Sequence, residues 1–516
     1  MTVHERQKPP AGHGEVLCSP PFGEWASIVE RNAAVVASWP EPLRALRAQA
    51  RAETVAEAIR FSRGIGLSAP SEWRGAPIVM TGHQPELYHP GVWVKDFLVD
   101  RLAEETGALG LDLVVDTDSA APVALRVPCL HDGVRECEVV LAEGDARAAY
   151  AQQPVPSESV REVFRARGTT LLEALPAPAL RRHFGSFCDA LDAAAGDAEH
   201  LGALMTAARR RYEAPAGTRY LEVLASEQSC LPSFRAFAAM LLVDARRFRS
   251  VMNEALAEYR LRTGARSVAQ PFPDLGEEDG RVEAPFWLLA DGRRRAVSVD
   301  VRGTLHAEDE PIADLGATQE SALVALKTAD LLLAPKALTL TLFQRLFIAD
   351  LFVHGTGGGR YDRVTDAVIV AYFGVEPPPF AVASMTLLLP LGGHVVTDED
   401  VAEAERRFSR FEHNPDELLA EVEFDSAEER ARADGLAARK AQAVAAIARA
   451  NADRKALGRE IRELNAELAS MLAPVGEALE ARVEQMRAER AASAVLTDRT
   501  YPYCLWDPRE VMDKVR

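Results

Sequence analysis

Apolar residues along this 516-residue chain fall into two kinds of run. Some are short and nearly continuous, as in buried strands. Others recur every three or four residues, as on one face of a helix. Helical spacing covers 24–36 and 42–63. A short strand follows at Ile78, Val79 and Met80, and it breaks at Thr81-Gly82. The connection beyond it carries His83, Gln84, Tyr88 and His89. After Pro90-Gly91 the helical spacing resumes through Trp93, Phe97, Leu98 and Leu102. A second strand over 111–115 ends in Asp116-Thr117-Asp118. Strand, helix and strand in this order predict a parallel, right-handed βαβ unit.

The pattern continues with β character over 124–141 and an Ala-rich helical stretch over 157–212. A long helix is expected over 233–262, with Ser233 as its N-cap and Phe234, Phe237, Met240, Leu241 and Phe248 facing a core. Asp291-Gly292 separates two apolar runs and predicts a hairpin. A strand at 351–353 feeds His354-Gly355-Thr356-Gly357-Gly358-Gly359-Arg360, and a helix follows. From Asp398 onward the chain is rich in Ala, Glu, Arg and Leu. Leu457, Ile461, Leu464, Leu468 and Met471 step by four and three, as a coiled-coil seam does. Pro474 divides a run over 426–472 from one over 476–492. The implied organisation is a disordered lead over 1–21, then a core over 22–397. The core holds a helical insertion near 157–262 and a β-hairpin near 284–301. A helical coiled-coil hairpin over 398–492 follows, and a tail over 493–516 docks back on the core.

Charge and cysteine content narrow the classes. A formal net charge of −18 disfavours nucleic acid and anionic membranes as partners. The triplets Arg209-Arg210-Arg211 and Arg293-Arg294-Arg295 read as a solvated helix face and a hairpin edge. Six scattered cysteines form no C-x-x-C, so neither a zinc knuckle nor a disulfide framework is expected. With no apolar leader and no membrane-length run, the expected location is the cytoplasm.

Two connections carry the candidate chemistry. Ligands of open α/β sheets bind beyond the carboxyl ends of strands. His83, Gln84, Tyr88 and His89 stand at such a place, although a turn that satisfies its own polar groups would use the same residues. Asp116 and Asp118 are two apart, so a continuing strand would point both to one face. They could hold Mg²⁺, bind an ammonium group or ribose hydroxyls, or cap a turn. In the second connection, glycines let consecutive N–H groups converge on an anion, and Arg360 adds donors. It is neither a P-loop nor a G-x-G-x-x-G fingerprint, and a plain flexible connection is the alternative.

In order, the strand with Thr81-Gly82-His83-Gln84-Pro85-Glu86-Leu87, the strand ending Asp116-Thr117-Asp118, the 354–360 segment and the helical carboxyl-terminal part resemble the bacillithiol biosynthesis cysteine-adding enzyme family. The family pattern has T-G-Q-Q-x-G-L in the first place and G-G-P-G-E in the second. Here His83 stands for a Gln, and Gly358-Gly359-Arg360 for Pro-Gly-Glu. The resemblance implies a nucleotidyltransferase-like Rossmann core with helical insertions and a C-terminal α-helical coiled coil that makes a homodimer. It implies an ATP-dependent ligase, using ATP with Mg²⁺, that joins cysteine or a similar amino acid to a small amine acceptor. A nucleotide- or metabolite-binding protein without ligase activity is the alternative.

On this reading His83 and His89 contact the phosphates, and Thr81, Gly82, Gln84 and Gly91 shape the first loop. His354, Gly355, Gly357, Gly358, Gly359 and Arg360 form a second nucleotide contact, and Asp116 and Asp118 orient an amine or Mg²⁺. His89→Ala and Arg360→Ala are then each expected to lower turnover more than tenfold.

Overall fold

Why the first expected strand is a strand is plain from its burial: Ile78, Val79 and Met80 are all 0% exposed. A strand covered on both faces reads as a continuous apolar run rather than an alternating one. In the computed structural model, which describes residues 7–130, 134–264, 272–392, 395–449 and 453–516, the two larger sheets use the following strands. β1 is Val16–Ser19, β2 Ile78–His83, β3 Leu109–Val114 and β4 Leu221–Leu224. β5 is Arg281–Ala290, β6 Arg293–Val299, β7 Thr304–Ala307, β8 Glu310–Asp314 and β9 Leu333–Pro335. β10 is Leu351–His354 and β11 Ala381–Met385. The fold is mixed α/β with a largely parallel main sheet.

The main sheet runs β1-β11-β10-β2-β3-β4. β1 is antiparallel to β11, and the other neighbours are parallel. The chain lays β2, β3 and β4 to one side, then crosses back to add β10 and β11 on the other. The order therefore reverses between β2 and β10. β1 draws residues 16–19 into the sheet, so they are not part of a disordered lead; residues 1–6 lie outside the described residues.

Helices α1 (Trp25–Ala37), α2 (Glu41–Gly64) and α3 (Pro90–Thr106) cover this sheet. Pro90 starts α3, where its missing N–H costs nothing, and Gly107 at φ 69° ends it. α2 supplies Arg47 and Arg51, which pair with the Asp350 carboxylate at 2.8 and 2.7 Å. Asp350 also accepts from the Ile78 amide at 2.7 Å and donates its own amide to the Ile78 carbonyl at 2.7 Å.

The Ala-rich stretch forms helices Glu158–Glu173 and Pro178–Ala194, then α4 (Leu201–Glu213). The first Arg triplet lies on α4, and its first two members are interior rather than solvated, at 4% and 2% exposed. Arg209 bonds Asp96 of α3, Asp112 of β3 and Glu222 of β4, each at 2.8 Å. Arg210 bonds Glu213 at 2.7 Å and the Tyr220 carbonyl at 2.8 Å. Such a run reads as surface because the acids that receive it come from distant segments.

The expected helix 233–262 is two helices, Pro232–Val243 and Ala245–Thr263, and Ser233 lies inside the first rather than capping it. Phe234 and Phe237 pack edge-on against Phe286 of β5, and against Phe343 edge-on and tilted respectively. The second sheet is antiparallel throughout, in the order β8-β7-β6-β5-β9. Its β5–β6 turn uses Asp291 at φ 51° and Gly292 at φ 70°, the left-handed pair that a tight hairpin needs. Cys129 and Cys137 are disulfide-bonded, which the absence of a cysteine motif did not suggest.

α5 (Thr356–Val368) follows β10 directly. The last helix, α6 (Pro508–Val515), packs on α3, and the preceding Tyr503 amide donates to the Tyr88 carbonyl at 2.8 Å. These segments belong to a compact unit of Met1–Val127, Cys137–Leu388 and Arg499–Arg516.

A second unit comprises Pro128–Glu136 and Leu389–Asp498. In it Asp398–His413 packs on Ala473–Leu496, and Ala427–Ile447 on Arg454–Met471. The expected run over 426–472 is thus two helices. Pro474 lies in the first turn of the helix Ala473–Leu496 rather than between runs. Leu464 and Leu468 are buried against Leu436 and Leu472 within this unit, so the seam is used inside the chain. Gly476 is required here, because a Cβ would come within 2.4 Å of the Phe411 ring. No helix among the described residues is long and apolar enough to cross a membrane.

Removing the shared cation of the buried cluster leaves several carboxylates unpaired. Arg209→Met is expected to lower stability by about 3–5 kcal/mol, measured by urea denaturation monitored by circular dichroism.

Candidate functional site

β2 ends at His83 and its neighbour β10 ends at His354, at the point where the strand order reverses. A cleft of about 230 Å³ opens there. Gly82, His83 and Gln84 line it from the first strand, and His354 and Gly358 from the second. Asp118, Arg294, Tyr361 and Asp362 add polar groups, and Leu338, Leu340, Phe352 and Phe272 add an apolar wall.

Each imidazole is held differently. The His83 ring packs edge-on against Tyr88 at 4.9 Å, and its Nδ1 lies 3.2 Å from the Gln84 carbonyl. Nδ1–H donates there, which leaves the Nε2 lone pair free. Burial, helped by the nearby Lys95 ammonium, pushes the His83 pKa down to about 3, so the ring is neutral at pH 7. Lys95 is buried as well, and its ammonium donates to the Thr81 hydroxyl at 2.9 Å and the Gly82 carbonyl at 3.0 Å.

His354 is oriented by a carboxylate. Its Nε2 donates to Asp362 Oδ2 at 2.8 Å, and Arg345 donates to the same oxygen at 2.8 Å. Burial alone would raise the Asp362 pKa. Arg345 and His354 outweigh it and hold this carboxyl well below the usual range. Asp362 therefore stays ionised and fixes the proton on Nε2. His354 Nδ1 is turned to the first turn of α5, where a Cβ at Gly358 would stand 3.0 Å from it. A glycine there keeps the nitrogen open.

Asp118 is the acid of the first loop. It accepts from Gln84 Nε2 at 2.9 Å and from the Ser119 amide at 2.7 Å, and Arg294 Nη1 stands 3.4 Å away. Asp116 does not join it. β3 ends at Val114 and the chain turns, so the two-residue spacing no longer puts both acids on one face. Asp116 is fully buried and takes the Ser226 amide at 2.9 Å and hydroxyl at 2.5 Å. Burial raises its pKa to about 7. The two carboxylates do not converge on one cation.

Other expected site residues do structural work away from the cleft. The Thr81 hydroxyl donates to the Val353 carbonyl at 2.8 Å. His89 caps α3, its Nδ1 accepting from the Gly91 amide at 3.0 Å. Gly91 allows close approach, since a Cβ would meet the Met385 carbonyl at 2.7 Å. Gly359 does the same against Val382, at 2.4 Å. Gly355 is the N-cap position of α5, and Gly357 and Arg360 are exposed on its first turns. The glycine run is therefore the start of a helix rather than a loop. Neither His89 nor Arg360 lines the cleft, so the large turnover losses expected of their alanine variants do not follow from this geometry.

Sequence reasoning missed Asp362, Tyr361, Phe272 and Arg294. Asp362 had a signal: it follows His354 by two turns of helix from a buried strand end. Arg294 had none, because only the placement of the second sheet brings β6 to the cleft. Neither a protein-family model nor a curated protein matches the chain.

The His83 shift sets a pH dependence. An unfolded histidine takes up a proton below about pH 6.5, whereas folded His83 resists down to about 3. Its contribution to stability is present at neutral pH and is lost as pH falls from about 6.5. Histidine-ring NMR is expected to show no titration of His83 between pH 5 and pH 8, and His83→Gln should flatten the fall of urea midpoint over about pH 6.5 to 4.

Proposed function

We propose that the cleft binds ATP and activates a carboxylate for amide formation with a small amine, as an ATP-dependent carbon–nitrogen ligase. One observation carries this reading: His83 and His354 end adjacent parallel strands at the reversal of strand order and line one cleft. Crevices at such reversals are where open α/β sheets bind nucleotides. The order β11-β10-β2-β3-β4 supports a Rossmann-like core, with β2-α3-β3 as its first βαβ unit.

The chemistry divides between the two rings. When a carboxylate oxygen bonds to the α-phosphate, the α–β anhydride bond breaks and pyrophosphate leaves. Negative charge concentrates in that transition state, and fixed donors lower the barrier. His354 suits this role. Its Nε2 is held by Asp362 and its Nδ1 faces the first turn of α5, so a proton carried on Nδ1 would be presented beside the N–H groups of that helix start. His83, neutral and with Nε2 open, suits an acceptor role toward an amine or hydroxyl of the substrate. Gly82 and Gly358 leave the backbone approachable at both strand ends. At about 230 Å³ the cleft is below the usual ~300–1,000 Å³ of ligand pockets. It is sized for the reacting groups, with the nucleoside reaching outward. The expected homodimer through the carboxyl-terminal helices would use what the unit's own core leaves of the seam, since Leu464 and Leu468 are buried there and Leu457 and Ile461 are half-buried.

The test is ATP binding by calorimetry, followed by release of pyrophosphate or phosphate when amino acids and amine acceptors are added. His354→Ala is expected to weaken ATP binding at least tenfold, about 1.4 kcal/mol, and Asp362→Asn to weaken it less. ATP binding with no turnover on any pair would replace the ligase with a nucleotide-binding protein. Undiminished binding by His354→Ala would reject the site.

A further inference from the structure

Arg294 differs from every other arginine described above in the interior of this protein. Arg47 donates to two carbonyls and Asp350 within 2.8 Å. Arg209 reaches three carboxylates at 2.8 Å. Arg345 pairs with Asp362 at 2.8 Å and Asp366 at 2.7 Å. The Arg294 side chain is only 13% exposed, yet among the described residues its one charge partner is Asp118 at 3.4 Å. That is longer than the ~2.7–2.9 Å of a formed guanidinium–carboxylate bond. Its Nε is buried with no hydrogen-bond partner, as are those of Arg210 and Arg345, but unlike theirs its terminal nitrogens make no hydrogen bond among the described residues either. The guanidinium carbon stands 4.8 Å from the centre of the Trp287 ring, in cation–π contact, and the side chain lines the cleft. A planar fork of donors held on an aromatic ring and left unfilled is the arrangement that recognises a planar oxyanion.

We propose that Arg294 is the carboxylate receptor of the cleft, and that Asp118 is a resident counter-ion which the incoming carboxylate displaces. Asp118 can leave, because its side chain is 38% exposed and keeps Gln84 and the Ser119 amide as partners. The substrate carboxylate then takes the Arg294 edge bidentately. Arg294 lines the same cleft as His354 and Gly358, the groups read above as the phosphate side. This names the subsite for the carboxylate of the ligase reading. It rests on that reading only for what happens to the carboxylate afterwards.

Calorimetric titration of the full chain with malonate and, separately, inorganic phosphate tests it. Wild type is expected to bind malonate in the millimolar range and more tightly than phosphate. Arg294→Gln should weaken malonate at least tenfold, and Arg294→Lys should recover part of the loss. Asp118→Asn should strengthen malonate several-fold, because the competitor's charge is gone. Thermal melts identify a variant that fails to fold, in which case Arg294→Lys and Asp118→Asn carry the test. No malonate binding by wild type, tighter phosphate than malonate, unchanged affinity in Arg294→Gln, or weaker affinity in Asp118→Asn each overturns the proposal. ATP is titrated into the same variants. If wild type binds malonate through Arg294 but does not bind ATP, the subsite stands and the ligase reading falls.

Discussion

The Asp350 carboxylate is the contact on which the site depends. It accepts from Arg47, Arg51 and the Ile78 amide, and its own amide donates back to Ile78. Ile78 opens β2, and Asp350 immediately precedes β10. Their mutual bonding sets two strands from distant parts of the chain side by side and in register, Leu351 opposite Val79. Everything at the far end follows from that start. β2 has six residues and β10 four, but with Leu351 opposite Val79 their ends finish within one residue of each other, so His83 and His354 emerge at one edge. Burying an ionised carboxylate is costly unless it is paired and hydrogen-bonded. Here both oxygens are filled, so the arrangement that positions the strands also compensates the charge.

The same accounting explains the other buried charges and the exception among them. Around Arg209 the acids of α3, β3 and β4 meet a cation of α4, which welds the helix pair to the sheet behind the first loop. Around Arg345 the acids of α5 are gathered, and Asp362 in turn aligns His354. In both clusters the guanidinium reaches two or more carboxylates at 2.7–2.8 Å, although single atoms such as Arg345 Nε and Asp362 Oδ1 have no partner among the described residues. At Arg294 the set is open, and it is open toward the cleft. A guanidinium that lines a cleft and makes no hydrogen bond among the described residues is placed to receive an oxyanion.

Part of this was legible along the chain. The unbroken Ile78-Val79-Met80 run, the Pro90-Gly91 start and the Gly107 stop define β2-α3-β3 from local chemistry alone. The polar strand ends at His83-Gln84 and at His354 were legible for the same reason, since imidazoles and amides beyond a buried strand have no apolar role. Spacing rules failed where the backbone departed from regularity. Asp116 and Asp118 share a face only in a strand that continues, and β3 stops before them. The glycines after His354 suggested a free loop. Helix α5 begins within them instead, and two of the four then serve geometry, opening Nδ1 or admitting Val382.

Two identical Arg-Arg-Arg triplets mark the boundary between sequence and fold. By itself the sequence determined that each triplet sits on a regular element, one helical and one at a hairpin, because periodicity and the Asp291-Gly292 turn are local properties. It could not determine their surroundings. Arg209 meets Asp96, Asp112 and Glu222, and Arg294 meets Trp287 and Asp118, only after distant segments assemble. Whether a guanidinium becomes a sealed core ion or an open receptor depends on how many acceptors surround it, and that number is fixed by tertiary packing.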